Sequence, residues 1–462
     1  MTAYLFKDAK FRSLLINRIL DGTLTIDPSV CHCIYRLRRK DDGSQELYTV
    51  NLDKNGDPDQ CDYDTTLGNL GYTLGQLGRG SYGYIAEACK DEDCNLSYAL
   101  KVVLYENKRF KGTAIYGEID DPDRPENLEV RILKILNQRI LYPKLSPHII
   151  LYIQDFVCQG LPALFPNGVR SDFDLFAQQL RLNNKVTKIP KYDPNHAMVL
   201  ISEIAKFGSL YHFIITQPDW ITEEFLGHMI FQFLITFAQI QRVMPTFRHN
   251  DCHSGNLLLA KDDHTDLGYG YYYIYRYEDR FYRLPVIFGQ IKLWDFDFAN
   301  IEGETHNHRL KAPFDPPIGY RATRNHYYDL HLFFNDLLAL ADPNGRYQRN
   351  RLPNIAKDSE VMSFLREAVP LAYYGFNKVD DKGVQILGQG RLVPDEEFTT
   401  PHKLLTRHPF ILGRYAVDLD QLDMETIIDA FGIDFEELKE LIKIASTKTT
   451  KIGQLAQEAN SH

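Results

Sequence analysis

The sequence lacks the features that mark secreted, membrane-spanning and zinc-binding proteins. The first residues, MTAYLFKDAKFRSLL, contain no apolar core of a signal peptide. The longest apolar run, near Met229 to Ile240, is too short to cross a bilayer and is interrupted by Gln232. The seven cysteines are odd in number and lack zinc-ligand spacing, so we expect reduced thiols. These absences predict a cytoplasmic protein with no membrane span.

An excess of basic residues and internal repeats are also absent. The formal net charge is −10, from 62 acidic and 52 basic residues, which argues against a general nucleic-acid binder. The length of 462 residues, with 44% hydrophobic and 25% charged residues, suits one large two-lobed unit or two domains. We therefore expect a globular chain with no nucleic-acid partner.

Strand patterns come first along the chain, and helical patterns follow them. Residues from Tyr72 to about Val103 read as strand, glycine turn, strand, strand. Helical periodicity marks Asn127 to Gln138 and Glu223 to Val243, and Leu330 to Leu340 reads as a buried helix. This order predicts an α+β fold in which a small antiparallel β-sheet lobe with one helix precedes a large, mainly helical lobe.

A glycine-rich segment joins two of the predicted strands. Residues 77–85 read LGRGSYGYI, and glycines in such a loop let backbone N–H groups approach phosphates closely. Because the segment runs from strand to strand, it disfavours a Rossmann site, although alone it fits a tight hairpin equally well. The candidate nucleotide-binding residues of this loop are Leu77, Gly78, Arg79, Gly80, Ser81, Tyr82, Gly83, Tyr84 and Ile85.

A lysine within an apolar strand must find an anion. Lys101 stands in YALKVV, eighteen residues after Gly83, with apolar residues on both sides. A nucleotide phosphate and a helix carboxylate would supply the anion. In the predicted helix NLEVRILKIL, Glu129 is the favoured partner, and Glu118 is its rival because a loop lies between the strand and the helix. An exposed helix glutamate is the alternative interpretation of Glu129.

Two later segments carry polar residues suited to phosphoryl transfer. FRHNDCHSGNLLL places Asp251 five residues before Asn256, ahead of a strand-like run. Asp251 can accept the proton of an acceptor hydroxyl, and the amide oxygen of Asn256 can bind Mg²⁺. In IKLWDFDFAN, Asp295 follows an apolar run and offers the hard oxygen ligand that Mg²⁺ prefers. These residues predict ATP as the phosphoryl donor and Mg²⁺ as the metal.

Together these segments resemble the protein kinase superfamily. The matched parts, in order, are the glycine loop, the strand lysine, the helix glutamate, the HxD…N loop and the DF-type metal motif. VLISEIAKFGSL is similar to the family's hinge, which implies that Glu203 and Ala205 face adenine, with Ser202 as gatekeeper and Ala99 beside the nucleotide. Asp329 resembles the buried helix aspartate that braces the catalytic loop.

The resemblance covers about residues 72–415 and implies a domain scheme. It consists of an N-terminal extension at 1–70, the N-lobe and hinge at 71–206, the C-lobe at 207–415 and a C-terminal helical tail at 416–462. An insertion at about 261–290 contains YGYYYIYRYEDRFYRLP, whose alternating aromatic residues predict a β-hairpin with one buried face. An aromatic docking surface is the alternative to simple packing.

Three positions depart from the family pattern. Asn250 replaces the arginine that normally pairs with an activation-loop phosphate, which predicts activity without that switch. His253 replaces the usual lysine, as in haspin-type kinases and in choline and aminoglycoside phosphotransferases, and is expected near the γ-phosphate. Asp297 replaces the usual glycine and is expected either to join the Mg²⁺ shell or to face solvent. No APE motif follows, so the peptide-binding platform must be remodelled.

The motifs WDFDFAN and NHYYDLHLFFNDLL, with the aromatic insertion, resemble serine/threonine kinases of large cytoplasmic DNA viruses of the poxvirus and iridovirus type. This implies a viral serine/threonine protein kinase, in the host cytoplasm or the virion, that phosphorylates Ser/Thr hydroxyls of a protein substrate. The implied catalytic residues are Asp251, Lys101 and His253, and the implied metal ligands are Asn256 and Asp295. A small-molecule phosphotransferase, favoured by HNDCHSGN, and a non-catalytic pseudokinase scaffold remain open alternatives.

Overall fold

The computed structural model describes most of the chain from residue 118 onward. The described ranges are 118–159, 192–261, 270–311, 323–343, 347, 350–370 and 397–460. Strand segments are also described at 33–39, 45–51, 72–79, 83–89, 97–106, 109–110, 113–114, 376–379 and 385–387. Of the predicted phosphate loop, Gly80, Ser81 and Tyr82 lie outside the described residues, whereas Leu77 to Arg79 and Gly83 to Ile85 lie in strands.

The secondary structure combines short strands with helices throughout. The strands are β1 (Cys33–Arg39), β2 (Gln45–Asn51), β3 (Tyr72–Arg79), β4 (Gly83–Cys89), β5 (Ser97–Glu106), β6 (Arg109–Phe110), β7 (Thr113–Ala114), β8 (Tyr152–Gln159), β9 (Tyr192–Ser202), β10 (Phe247–Arg248), β11 (Leu257–Ala260), β12 (Tyr272–Tyr277), β13 (Arg280–Pro285), β14 (Gln290–Leu293), β15 (Asn300–Ile301), β16 (Phe376–Val379), β17 (Gln385–Leu387), β18 (Ala416–Val417) and β19 (Ile427–Phe431). The helices are α1 (Pro125–Leu136), α2 (Leu210–Thr216), α3 (Glu223–Val243), α4 (Tyr328–Ala341), α5 (Glu360–Ala368), α6 (Pro401–Arg407), α7 (Pro409–Tyr415) and α8 (Phe435–Asn460).

A five-stranded antiparallel sheet has the order β3-β4-β5-β9-β8. Lys101 on its central strand pairs with Ile85 of β4 and Leu200 of β9. Helix α1 starts with proline at its first turn, where the missing N–H costs nothing, and buries Leu128 and Ile132 in the core. The sheet and helix therefore position residues from distant parts of the sequence, as the predicted α+β class requires.

Two buried helices form the centre of the remaining part of the described chain. Helix α3 has the predicted bounds, because Thr222 caps its first turn by accepting from the Phe225 N–H at 3.1 Å and Pro245 follows its end. Helix α4 is buried from Tyr328 to Leu340 and packs on α3. The two helices meet through Phe233 and Phe333, whose ring centroids are 4.6 Å apart. This core continues into the five-stranded sheet as one hydrophobic cluster.

The aromatic insertion forms the predicted hairpin, and one of its faces packs in the core. Strands β12 and β13 pair antiparallel, and the rings of Tyr273, Tyr275, Tyr277 and Tyr282 are at most 3% exposed. The predicted packing face is thereby confirmed. The result follows from strand geometry, since alternate residues of a strand point to one side.

The segment predicted as a helical tail also contains strands. Strand β18 pairs with β13, and β19 pairs parallel with β12, so a four-stranded sheet has the order β18-β13-β12-β19. Helix α8 follows and buries Leu438 and Ile442 in a second, smaller cluster. Residues 416–442 therefore dock onto the insertion. Within the part of the chain that the structure describes, no helix has both the length and the apolarity needed to cross a membrane.

Candidate active site

Lys101 lies between two carboxylates. Its Nζ is 2.5 Å from Glu129 Oε1 on α1 and 3.1 Å from Asp295 Oδ1, which follows β14. Lys101 and Glu129 are buried, whereas the Asp295 side chain is 34% exposed. The structure places Glu129, and not the exposed Glu118, against the strand lysine. The predicted lysine, helix glutamate and metal aspartate are thus brought together from three separate elements.

Opposing effects set the protonation of this cluster. Burial alone lowers the pKa of the Lys101 ammonium, but the nearby carboxylates of Asp295, Glu129 and Asp297 outweigh burial and raise the pKa above its ordinary value. Burial raises the pKa of Glu129, and the Lys101 ammonium opposes that rise. We infer that Lys101 stays charged at neutral pH, because three carboxylates surround it. A charged ammonium at this position is suited to binding phosphate oxygens.

The residues of the predicted catalytic loop (249–256) form a second, hydrogen-bonded group. The Asn256 side-chain amide donates to the Asp251 backbone oxygen at 2.9 Å and to Asp251 Oδ2 at 3.1 Å. The Gly255 N–H donates to His253 Nδ1 at 3.0 Å, so a neutral His253 carries its proton on Nε2. That Nε2 lies 3.8 Å from Asp251 Oδ1. The side chains of Asn256 and His253 therefore converge on the carboxylate of Asp251.

Helix α4 anchors the catalytic loop at two points. Asp329 accepts hydrogen bonds from the His249 N–H at 2.9 Å and the Asn250 N–H at 2.8 Å. Seven residues later on the same helix, Asp336 Oδ2 accepts from the backbone N–H of Ser254 at 3.0 Å and from its hydroxyl at 2.5 Å. Burial raises the pKa of Asp329 above its ordinary value, and His249, Arg248 and the two N–H donors oppose only part of that rise. These anchors lie on either side of Asp251 and His253.

Two site residues have backbone conformations that explain their identity. Asn250 and Asp295 both have φ of +64°, in the left-handed region. Asparagine and aspartate adopt this region at lower cost than most residues, because their short polar side chains bond locally. The Asn250 side chain indeed donates to the Phe298 backbone oxygen at 2.9 Å. Asn250 thus ties the catalytic loop to the segment after the metal motif.

A cleft connects the hinge segment with the two polar groups. The cavity has a volume of about 360 Å³ and is lined by Ile85, Ala99, Ser202, Glu203, Ala205, Gly208, Ser209, His212, Gly255, Asn256, Leu258, Trp294 and Asp295. The predicted nucleotide-binding residues Ile85, Ala99, Glu203 and Ala205 therefore share one cleft with Asn256 and Asp295. The Glu203 carboxylate does not point freely into the cleft, because it accepts from the Leu151 N–H at 2.7 Å.

The oxygen donors in the cleft and next to it suit a hard divalent cation. Oxygen atoms of Glu129, Asp295 and Asp297 lie within 4.8 Å of one another. Because the Asn256 amide nitrogen is bonded to Asp251, its amide oxygen is the atom left to face a cation. Carboxylate and amide oxygens are the ligands that Mg²⁺ prefers. The residues present therefore fit Mg²⁺, although their roles as ligands remain predictions.

Asp297 corrects one expectation. It does not face solvent, because its side chain is buried and its Oδ2 accepts from Arg309 Nη1 at 2.7 Å. The prediction failed because Arg309 lies twelve residues away across an irregular segment, which gives no local signal. Asp336 was also missed, although an aspartate in an apolar helix, two turns after Asp329, signals a buried partner.

Cys252 lies between the two anchors but does not join the chemistry. Its free thiol is fully buried. Burial raises the pKa of the Cys252 thiol, and the carboxylates of Asp329 and Asp251 raise it further. The thiol therefore stays protonated and unreactive.

Comparison with known proteins gives one informative match. The chain is 31% identical over 375 residues to a protein of Acanthamoeba polyphaga mimivirus that is named "Putative serine/threonine-protein kinase". The alignment covers 80% of this chain and 74% of the mimivirus protein. No family model matches the chain. The similarity extends over most of both chains, and therefore beyond the short motifs.

Proposed function

This chain belongs to the protein kinase superfamily, alongside the mimivirus relative, and from this premise we propose that it transfers the γ-phosphoryl group of ATP to Ser/Thr hydroxyls of a protein substrate. One observation carries the proposal. Lys101 contacts both Glu129 and Asp295, and Asp295 shares a cleft with Asn256, which is bonded to Asp251. Phosphoryl transfer needs this combination of phosphate-binding cation, metal-binding oxygens and proton acceptor.

Each residue has a chemical task in the proposed reaction. Lys101, held by Glu129, binds phosphate oxygens of ATP, and the strands around residues 77–85 cover them. Asp251 orients the acceptor hydroxyl and takes its proton. The Nε2–H of a neutral His253 lies beside Asp251 and would donate to phosphoryl oxygens, whose negative charge must be stabilised. The hinge residues Glu203 and Ala205 line the part of the cleft assigned to adenine.

The proposed reaction balances as an in-line displacement. The hydroxyl oxygen forms a bond to the γ-phosphorus while the bond from that phosphorus to the β,γ-bridging oxygen breaks. The bridging oxygen keeps the electron pair and leaves with ADP, and the hydroxyl proton passes to Asp251. The residues that would hold Mg²⁺ are Asn256 and Asp295. When bound, Mg²⁺ neutralises charge on the phosphate oxygens.

We also propose an architecture for the chain. We assign the five-stranded sheet with α1 to a small lobe spanning 71–206 and helices α2 to α7 to a large lobe spanning 207–415. Residues 1–70 would form an extension, and residues 416–462 would form a tail docked on the hairpin insertion at about 261–290. The mimivirus origin of the relative favours a viral enzyme that acts in the host cytoplasm.

A radiolabelled transfer assay tests the proposal. The purified chain is incubated with Mg²⁺ and γ-labelled ATP, with casein or a basic protein in one arm and choline or an aminoglycoside in the other. We expect label on protein serine and threonine, and none on the small acceptors. Label on choline or an aminoglycoside alone would establish a small-molecule phosphotransferase instead. Failure to bind Mg·ATP in a thermal-shift experiment would favour a non-catalytic scaffold.

A further inference from the structure

The position after the metal motif holds a buried ion pair. Asp297 stands where the family resemblance expects glycine, and its carboxylate accepts from Arg309 at 2.7 Å. The Arg309 side chain is 6% exposed and the Asp297 side chain is 7% exposed. Removing one partner of a buried pair leaves the other charge uncompensated in a medium that solvates it poorly. The pair is therefore costly to break from either side.

Asp297 also faces the proposed catalytic cluster. One of its oxygens lies within 4.8 Å of oxygens of Glu129 and Asp295. Three carboxylates thus crowd together, and Lys101 provides one positive charge against them. Arg309, which does not line the cleft, contributes a second cation through its contact with Asp297. Without Arg309, repulsion among the carboxylates would push Asp297 and Asp295 apart.

Hydrogen bonds of the Asn307 side chain join the two ends of the segment 297–309. The Arg309 N–H donates to Asn307 Oδ1 at 2.9 Å. The Asn307 side-chain amide donates to the backbone oxygens of Asp297 at 2.9 Å and Ala299 at 3.0 Å. The Arg309 guanidinium also lies over the Phe298 ring, 5.6 Å from its centroid. Residues 297–309 therefore form a loop fastened at both ends.

The same loop is bonded to the helix that carries Glu129. Arg131 of α1 donates to the Glu304 backbone oxygen at 3.0 Å. Arg139, just after α1, forms a two-bond ion pair with the Glu304 carboxylate. A displacement of the loop would therefore also pull on α1, and with it on the contact between Glu129 and Lys101. The loop is therefore coupled to α1 and to the residue just after it by direct contacts with Glu304.

We propose that Arg309 is a positioning residue that holds Asp297, and through it Asp295 and Glu129, in the arrangement needed for phosphoryl transfer. As a consequence, the loop at 297–309 needs no phosphoryl group to be ordered. This agrees with Asn250, which stands where an arginine would bind such a phosphate and instead donates to Phe298. The predicted effect on kcat rests on the proposed kinase function. The predicted effect on the order of the loop at 297–309 rests on the geometry alone.

Substitutions of the pair test the inference. Arg309→Met should lower kcat by about ten- to a hundredfold while Mg·ATP affinity stays within about threefold, because the substitution misaligns groups rather than removing a ligand. Arg309→Lys keeps the charge but loses the planar guanidinium over Phe298, so it should recover part of the kcat that Arg309→Met loses. The double variant Asp297→Asn with Arg309→Met removes both charges and should recover part of the loss. Arg324→Met, at an exposed arginine, is the matched control.

Hydrogen–deuterium exchange supplies a readout that does not depend on catalysis. Arg309→Met should speed exchange of the amides in 297–309, and Arg324→Met should leave them unchanged. Unaltered kcat in a folded Arg309→Met protein would overturn the inference. Equal damage in Arg309→Lys, with an equal loss of thermal stability, would also overturn it by showing a merely structural role. If Arg309→Met does not fold, the Arg309→Lys and double-variant comparisons decide.

A phosphatase arm separates this inference from the proposed function. Wild-type protein treated with phosphatase, and shown by mass spectrometry to carry no phosphate on 297–309, should keep its kcat within about twofold. A tenfold loss would refute the inference and leave the kinase function standing. Wild-type protein that transfers no phosphate before or after treatment would refute the proposed function, and the exchange experiment would then still decide whether Arg309 holds the loop.

Discussion

Replacing Asp336 should disable the catalytic loop without removing any group that touches substrate. Asp336 Oδ2 accepts two hydrogen bonds from Ser254, and its Oδ1 accepts from the Tyr347 hydroxyl at 2.7 Å. Ser254 is fully buried. Asp336→Ala would leave the backbone N–H and the hydroxyl of Ser254 without their acceptor. Each buried unsatisfied group costs about 1–3 kcal/mol. The loop would relieve this cost by shifting.

A shift of about 1 Å near the reacting groups costs roughly a hundredfold in rate. We therefore expect kcat of Asp336→Ala to fall about a hundredfold, with a loss of about 2–4 kcal/mol in unfolding free energy. Asp336→Asn keeps one oxygen as an acceptor for Ser254, so its kcat and its unfolding free energy should fall less. Ser254→Ala removes the hydroxyl but keeps the backbone donor, and should lose least. The control Asp358→Asn, at an exposed aspartate, should match wild type.

The assay is steady-state phosphoryl transfer to a basic protein at a temperature well below the unfolding transition of every variant, measured beside Mg·ATP affinity. The expected pattern is a graded fall in kcat with a smaller change in ATP affinity, because most of the cleft lining, including the hinge residues, lies outside this loop. Turnover of a folded Asp336→Ala protein within threefold of wild type would refute the reasoning. It would show that the anchor at Asp329 is sufficient to position the loop.

Three further predictions concern other parts of the molecule. Glu129→Gln weakens the contact with Lys101 and should lower kcat/KM ten- to a hundredfold in the transfer assay, since a hydrogen bond to a charged group is worth about 1.5–3 kcal/mol; an unchanged value would remove Glu129 from the site. Burial lowers the pKa of His228 from 6.5 to about 4. Between those pH values the unfolded chain therefore binds a proton that the folded chain does not. About 3 kcal/mol of the folding stability present above pH 6.5 should be lost as the pH falls towards 4. Thermal unfolding of His228→Gln should show a shallower acid loss than wild type, and equal slopes would contradict this assignment. Gly432→Ala should destabilise the fold by about 2–4 kcal/mol, because the φ of Gly432 is +75° and a Cβ there would lie 2.4 Å from the Arg276 backbone oxygen. Denaturant unfolding measures this loss. Wild-type stability of the variant would argue against docking of the tail on the hairpin.

Local signals made much of the fold predictable. The bounds of α3 follow from a threonine cap, an apolar repeat and a proline stop, all within one stretch of sequence. The hairpin follows from alternating aromatic residues, whose inward-facing members, such as Tyr275, are buried. In both cases the information lies within the span of the element itself, which is why sequence patterns were sufficient.

Long-range partners were not predictable in the same way. The parallel pairing of β19 with β12 joins segments about 150 residues apart, and neither strand specifies its partner by pattern. The contact of Arg309 with Asp297 depends on the course of an irregular loop. The chemistry of Lys101 and Asp295 was recognisable because phosphoryl transfer restricts which residue types can serve. Asp336 and Arg309, which bond to Ser254 and to Asp297, obey no such restriction.

The central claim is that Asp251 and the cleft beside it phosphorylate protein serine and threonine. The most direct measurement is mass spectrometry of phosphosites in a phosphatase-treated cell lysate incubated with Mg·ATP and either wild-type protein or Asp251→Asn. We predict new phosphoserine and phosphothreonine sites with wild type that are absent with the variant. Indistinguishable phosphosite profiles from the two proteins would contradict the account.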